Sequence, residues 1–497
     1  MSRHRTRQDN RSSNQDARSK KSTRKSKQQH HMQPHKLVAP TIALTVALTG
    51  PTALAGEKEV LAAPEVEVQE QRSGYIVPYL GLSRFPDRIR DIPQTINIIP
   101  QELMHQQVDF SLQDALRNVT GISFQAGEGG GAKGKNLSIR GFNTRNDIFL
   151  DGMRDQGSYF RDTFNLEAVE VLKGPSALYF ERGTTGGIIN QLSKLPRLES
   201  FYSGALSFGN RFLARGTGDI NQRLGETTAL RVNFMGYMDE IVDRDYVEQR
   251  RGGLAPSVTF GLGTSTQLSV SYFVQHEDNI PDYGLPILFG KPPDVDRGNF
   301  YGLANDDSET TWINIATLRL DHRFNDQLSL RNMLRYSHVD RQAFVSPPRI
   351  SGTPTPSMPL SQVIVAPNHP GRSTTEEILD NQLDLLARFQ TFGFNHTFLT
   401  GLEIATEGFN ATRYAFANVP ATPLVNPNPL RDTSRMTKSV SAATDTSTFL
   451  LGMYFSDTIR LLPQLDLVGG VAMTSSTPKH VIPGAGTTII GTALFNF

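Results

Sequence analysis

From residue 200 onward the chain alternates apolar and polar side chains with a period of two, over one segment after another. In LRVNFMGYM, Leu230, Val232, Phe234 and Met238 share one side, and Arg231, Asn233 and Tyr237 share the other. LSVSYFV repeats the pattern with Leu268, Val270, Tyr272 and Val274. IATLRLDHRF sets Ala316, Leu318 and Leu320 against Thr317, Arg319 and Asp321, and LSLRNMLRY sets Leu328, Leu330, Leu334 and Tyr336 against Ser329, Arg331 and Arg335. Strict alternation predicts β-strands with two unlike faces. Charged residues recur on the polar face, and many segments exceed the roughly 9–11 residues that a strand needs to cross a bilayer. The connections alternate between short turns and long Pro- and Gly-rich excursions such as 281–307 and 346–375. A soluble sandwich would have to bury Arg and Asp on its second face, so a transmembrane barrel is the better reading.

Residues 91–196 have a different texture. IPQTINIIP reads as a strand, and SLQDALRNVTGISF as a helix capped by Ser111 with Leu112, Ala115, Leu116 and Val119 on one face. Short strands and glycine turns follow. Residues 56–90 form a Pro-punctuated linker containing PEVEVQE, in which Val66 and Val68 alternate with Glu65, Glu67 and Gln69 as an extended segment does.

The N-terminus carries a third pattern. The first 36 residues are basic, an uncharged run LVAPTIALTVALTGPTALA follows from Leu37, and it ends on the small pair Ala53 and Ala55. Basic start, apolar middle and A-x-A exit predict a secretory signal peptide over residues 1–55. A lasting membrane helix fits less well, because Pro40 and Pro51 interrupt a run of marginal length. His30, His31 and His35 would leave with the signal and are assigned no site.

Composition narrows the chemistry. The formal net charge of the 497 residues is +1, so the chain as a whole lacks a nucleic-acid footprint. It has no cysteine, which excludes disulfides, thiolate metal sites and cysteine nucleophiles. No G-x-S-x-G or H-E-x-x-H motif and no His–carboxylate cluster at ligand spacing stands out, so neither an enzyme nor a site for bare iron is expected. GEGGGAKGK, from Gly127 to Lys135, lacks Walker spacing and reads as a loop.

Between Asn136 and Pro196 four elements follow in order: IRGF, a DG turn, VEVLKGP and GTTGGIIN. Each is bounded by short β-like runs. This order resembles the plug domain of TonB-dependent outer-membrane receptors, and is most similar to that of ferric-catecholate receptors. The resemblance implies a mainly β fold, with an N-terminal α+β plug followed by a transmembrane antiparallel β-barrel. It implies energy-coupled import of a ferric siderophore across the outer membrane, with the TonB protein, the siderophore and outer-membrane lipid as partners. No cofactor is implied, since the chelator brings the metal. Other receptors of the class take cobalamin or other metallophores, and a non-transporting adhesin or phage-binding surface protein is the rival of another class.

By the same resemblance, Pro64, Glu65, Val66, Glu67, Val68, Gln69 and Glu70 form a TonB box, an extended strand suited to adding to a partner's sheet edge. Arg140 of IRGF and Arg182 of FERGTTGG become candidates for a plug–barrel latch with acidic barrel residues. RDQGSYFRD falls at the plug apex, where Arg154 and Arg161 would meet an anionic chelate and Tyr159 and Phe160 would stack on its rings.

Barrels of this class have 22 strands, whereas only about eleven are recognisable between Phe201 and Val471. The tail, Ala472 to Phe497, has a different texture from a continuing barrel. Codon choices one base out of frame also allow RYDEFDAKTRNP across Ala472 to Pro483. The expectation is therefore a plug over 91–196, a partial barrel over 197–471, and an aberrant, frameshifted tail over 472–497 that leaves the chain without transport activity as written.

Overall fold

The alternating segments assemble into one antiparallel meander in the computed structural model, which describes residues 75, 77–82, 84–124, 136–175, 185–462, 464–478 and 488–496. For 478 and 488–496 only the backbone is described. The expected signal, the TonB box, the loop 127–135 and Arg182 lie outside these residues.

The first domain carries eight short strands and two helices: β1 (Thr95–Pro100), α1 (Gln101–Gln106), α2 (Leu112–Leu116), β2 (Ile122–Phe124), β3 (Leu137–Ile139), β4 (Phe142–Asn143), β5 (Ile148–Leu150), β6 (Met153–Arg154), β7 (Leu166–Lys173) and β8 (Gly187–Ser193). Five strands form a sheet in the order β1-β7-β8-β5-β6, and β2-β3-β4 form a smaller one. Ser111 caps α2 as expected, its hydroxyl accepting from the Asp114 amide at 3.1 Å. Leu112, Ala115, Leu116 and Val119 bury their shared face against Ile139, Ile148, Val169 and Ile189. The helix is shorter than the sequence suggested. Gly121 takes φ +80°, and Ile122–Phe124 leave as a strand pairing with β3. β-Branched and aromatic residues after a left-handed glycine favour that outcome over another helical turn.

The second domain is a twelve-stranded sheet. Its strands are β9 (Phe201–Phe208), β10 (Ala214–Arg223), β11 (Ala229–Glu240), β12 (Glu248–Phe260), β13 (Thr266–Asn279), β14 (Ser308–Arg323), β15 (Leu328–Phe344), β17 (Gly371–Thr391), β18 (Phe394–Ala417), β20 (Thr437–Leu462), β21 (Leu465–Pro478) and β22 (Thr488–Asn496). Two short strands, β16 (Ile364–Val365) and β19 (Thr422–Pro423), pair with each other in the long loops. Every neighbour in the large sheet is antiparallel, and β9 and β22 stand at its ends. The boundary expected at Val471 falls inside β21, whose pairing with β20 continues to Thr448↔Pro478.

Burial decides between sandwich and membrane barrel. On β11 the apolar side is the exposed one, with Phe234 at 44%, while Arg231 at 2% and Asn233 at 0% are buried. Leu254, Val270, Tyr272, Leu318, Leu334 and Tyr336 are exposed in the same way. A sheet that shows its apolar face outward and hides its charges inward is solvated by lipid and filled by something polar. Among the described residues no helix is long and apolar enough to cross a membrane; the crossings are made by strands.

Candidate functional site at the plug–barrel seam

What fills the sheet's concave side is the first domain, held by ion pairs of both polarities. Asp162 of the plug accepts two hydrogen bonds from Arg215 of β10, at 2.7 and 2.8 Å, with both side chains buried. Asp151 accepts from Arg335 of β15 at 3.1 Å, and the same guanidinium donates to the Leu150 carbonyl at 2.6 Å. Glu167 lies 3.5 Å from Arg231 of β11. Lys194 pairs in the opposite sense with Asp219 of β10, at 3.1 Å. Arg84, ahead of β1, does the same with Asp384 of β17 at 3.9 Å, so the seam carries ion pairs of both polarities. The signal for them was present in the sequence, since Arg231 and Arg335 sit on the polar side of their strands.

The DG turn explains why Asp151 can serve. Asp151 and Gly152 both take left-handed backbone angles, φ 53° and 86°, which a type I′ hairpin between β5 and β6 demands. The turn is pinned from inside by Ser193, whose amide and hydroxyl reach the Asp151 carboxylate at 2.7 and 2.8 Å.

The apex segment folds on itself more than the sequence suggested. Arg161 is buried: its Nε donates to Asp155 at 2.7 Å and its Nη2 to the Gly157 carbonyl at 2.9 Å. Its guanidinium stacks 4.4 Å from the centroid of Tyr159, whose hydroxyl also donates to Asp155. Tyr159 is buried against Ile313, Ile315 and Val339 of the barrel. In this structure Tyr159 and Arg161 are buried within the apex and hydrogen-bonded to its own loop. Phe160 is half-buried under the guanidinium of Arg251, 3.8 Å from its ring centroid, and its amide and carbonyl are held by Glu277 and Gln275. Arg154 is half-buried, donates to the Asn146 carbonyl and lies 5.7 Å over Phe149. Arg140 is exposed at the β3–β4 turn with φ 52°, and among the described residues it forms no ion pair.

Sequence reading missed a basic cluster at the long-loop end of the sheet. Arg372 of β17 lies directly opposite Arg413 of β18. Arg341 near the end of β15 and Arg145 of the plug bring further positive charge to bear on Arg372. Glu309 engages Arg341, and Glu376 partly offsets the positive charge around Arg372. The Nε of Arg372 is buried without a hydrogen-bond partner. Like charges gathered at the mouth of a lumen make a site for an anion of several charges. Among the described residues no group of three or more His, Asp or Glu side chains could hold a metal ion.

The plug thus sits against the polar face of the large sheet, with a basic cluster at the long-loop end of that sheet. Comparison with known proteins gives this arrangement its name. The TonB-dependent receptor plug domain model matches residues 88–188, and the TonB-dependent receptor-like β-barrel model matches 253–487. The catecholate siderophore receptor Fiu of Escherichia coli K12 is 33% identical over 444 residues, covering 85% of this chain and 58% of that protein. The crystal structure of the open form of E. coli Fiu superposes with a TM-score of 0.72 at 30% identity, over 83% of this chain and 67% of that one. The siderophore receptor PiuA of Acinetobacter baumannii gives 0.73 at 25% identity, over 85% and 64%. This chain belongs to the TonB-dependent receptor family, whose members are transport receptors and not enzymes. It spans 58% of the length of the curated Fiu sequences.

Proposed function

We propose that the chain is that of an outer-membrane receptor for a ferric siderophore of the catecholate class, imported by coupling to TonB, and that as written, with β9 and β22 at open ends of its sheet, it binds without transporting. The observation that carries this reading is the cluster of Arg145, Arg341, Arg372 and Arg413 beside the plug apex. Ferric catecholates are anionic, and guanidiniums gathered at one end of the sheet suit such a ligand through charge-assisted hydrogen bonds and ring stacking. The resemblance to receptors described as catecholate-specific supports the same class. Arg154 and Phe160, both half-buried, remain the apex residues suited to touch the ligand, while Tyr159 and Arg161 shape the loop that carries them. Pro64–Glu70 is the segment proposed to pair with TonB, and Arg140 and Arg182 are proposed to meet the barrel when the plug moves. Siderophore, TonB and outer-membrane lipid are the partners this function requires.

The test is direct binding of an iron-loaded catecholate, an iron-loaded hydroxamate and cobalamin to the purified chain in detergent. Saturable, salt-sensitive binding of the catecholate alone is expected. Preference for either of the others, or no binding by a folded chain, would overturn the assignment.

A further inference from the structure

Residues 77–82 and 84–92, which precede the plug sheet in the chain, lie across the plug as a strap. Its amide at Ile89 returns to the Pro78 carbonyl at 3.1 Å, closing a loop. Leu80, Leu82 and Phe85 pack on Phe149, Leu172 and Ile188. Between those leucines, the Gly81 amide donates to the buried carboxylate of Glu170 on β7 at 2.6 Å. Any side chain at Gly81 would strike Leu192, since a Cβ there would sit 2.4 Å from its methyl carbon.

Glu170 is one member of a buried polar chain. Its other oxygen accepts from Asn190 of β8 at 2.9 Å, and Asn190 in turn accepts from the Gly152 amide at 2.9 Å. Gly152 is the second residue of the DG turn, whose first residue is clamped by Arg335 of the barrel. Leu82 of the strap rests on Gly152 as well, where an added Cβ would meet it at 3.2 Å. The DG turn is therefore pressed between a barrel arginine and the strap. Arg335 lies on the same strand face as Arg341 of the basic cluster, six positions away.

We propose that Arg335, the DG turn, Asn190 and Glu170 form a relay that holds the Leu80–Leu82 stretch of the strap, so that withdrawing Arg335 frees this stretch while the plug sheet stays paired. Without Arg335, Asp151 loses a charged partner and the turn loses its outer clamp. The Gly152 amide then shifts from Asn190, and Asn190 no longer orients Glu170 toward Gly81. Arg84 ties the following part of the strap to Asp384 of β17 at 3.9 Å, so the relay bears on Leu80–Leu82, and β7 and β8 keep their own ladder. The siderophore-receptor reading enters only in naming what would draw Arg335 away, an anion bound near Arg341.

Amide hydrogen exchange on the purified full chain, without any siderophore, tests this independently of transport. Arg335→Gln should raise exchange at Leu80–Leu82 at least tenfold and leave the β7 and β8 amides unchanged, and Arg335→Lys should restore part of the protection. Arg215→Gln, which cuts the other latch, should leave the strap as protected as in the parent. If Arg335→Gln does not fold, Asp151→Asn, which keeps the turn's shape and loses its charge, decides in the same direction. An unchanged strap, equal acceleration of strap and β7–β8, or an equal effect of Arg215→Gln would each overturn the relay. Loss of siderophore binding with the exchange pattern intact would overturn the functional assignment alone.

Discussion

Arg215 and Asp162 meet fork to fork across the plug–barrel seam, with neither side chain in reach of solvent. Asp162 also accepts from the Phe164 amide at 3.0 Å, and Arg215 lies 4.8 Å over the ring of Phe110. A buried ion pair with all its lone pairs engaged contributes modestly against an apolar pair of the same shape. Breaking it from one side strands a charge. That asymmetry suits a domain that must sit firmly and still be displaced as a unit.

Removing one member should show the asymmetry. Arg215→Leu leaves Asp162 buried beside Arg251 at 3.9 Å, too far for a good hydrogen bond, and is expected to destabilise plug docking by about 3–5 kcal/mol. The double variant Arg215→Leu with Asp162→Leu should recover most of that loss. Denaturant titration followed by protease protection of the plug measures both. Equal losses in the single and double variants would refute the argument.

Charge at the mouth gives a second expectation. Arg372→Gln with Arg413→Gln should weaken ferric-catecholate binding at least tenfold and flatten its salt dependence, because two of the four clustered guanidiniums are lost. Binding isotherms at two ionic strengths provide the check. A pair of variants with parental affinity and salt slope would place the ligand elsewhere.

Coupling gives a third. Val66→Pro removes a backbone donor from a segment proposed to pair as a strand. Ligand binding should persist while TonB-dependent uptake, measured in a receptor carrying this segment, disappears. Normal uptake would exclude Pro64–Glu70 as the pairing segment.

The alternation along β11, β13, β14 and β15 was legible because a period of two is a local property that needs no knowledge of neighbours. Apart from its last strand, the large sheet has the eleven strands expected. Which face meets lipid was also readable, from Arg231 and Arg335 opposite Phe234 and Leu334. The seam was not. Arg161 looked free because its partner Asp155 is only six residues away in a loop without periodicity, and the loop's fold depends on Val339 and Ile313 from distant strands. Arg372 and Arg413 are 41 positions apart and become neighbours only through the register of β17 and β18. The pair of Asp162 and Arg215 was hidden for a similar reason: each looks like an ordinary surface charge until the plug is seated.

The buried carboxylate beneath the strap supplies the last expectation. Burial pushes Glu170 up to about 7, against the hydrogen bonds from Gly81 and Asn190 that favour its ionised form, while the nearby Asp151 raises it further. A carboxyl whose folded value lies above its unfolded value of 4.5 binds its proton more tightly when folded. Its contribution to stability is therefore complete below about pH 4.5 and is lost as pH rises through about 7. Burial also raises Asp109, to about 6, so it works in the same sense over a lower window. Plug stability should fall between pH 5 and pH 8 by an amount on the order of 3 kcal/mol for Glu170 alone. Glu170→Gln keeps an oxygen for the Gly81 amide and cannot ionise, so it should remove the part of the slope that runs from about pH 4.5 to about 7 and leave the part due to Asp109. Urea unfolding of the plug at pH 5, 6, 7 and 8 separates the two. An identical pH profile in parent and variant would mean that Glu170 stays in one protonation state throughout, and the strap's anchor would then be insensitive to protons.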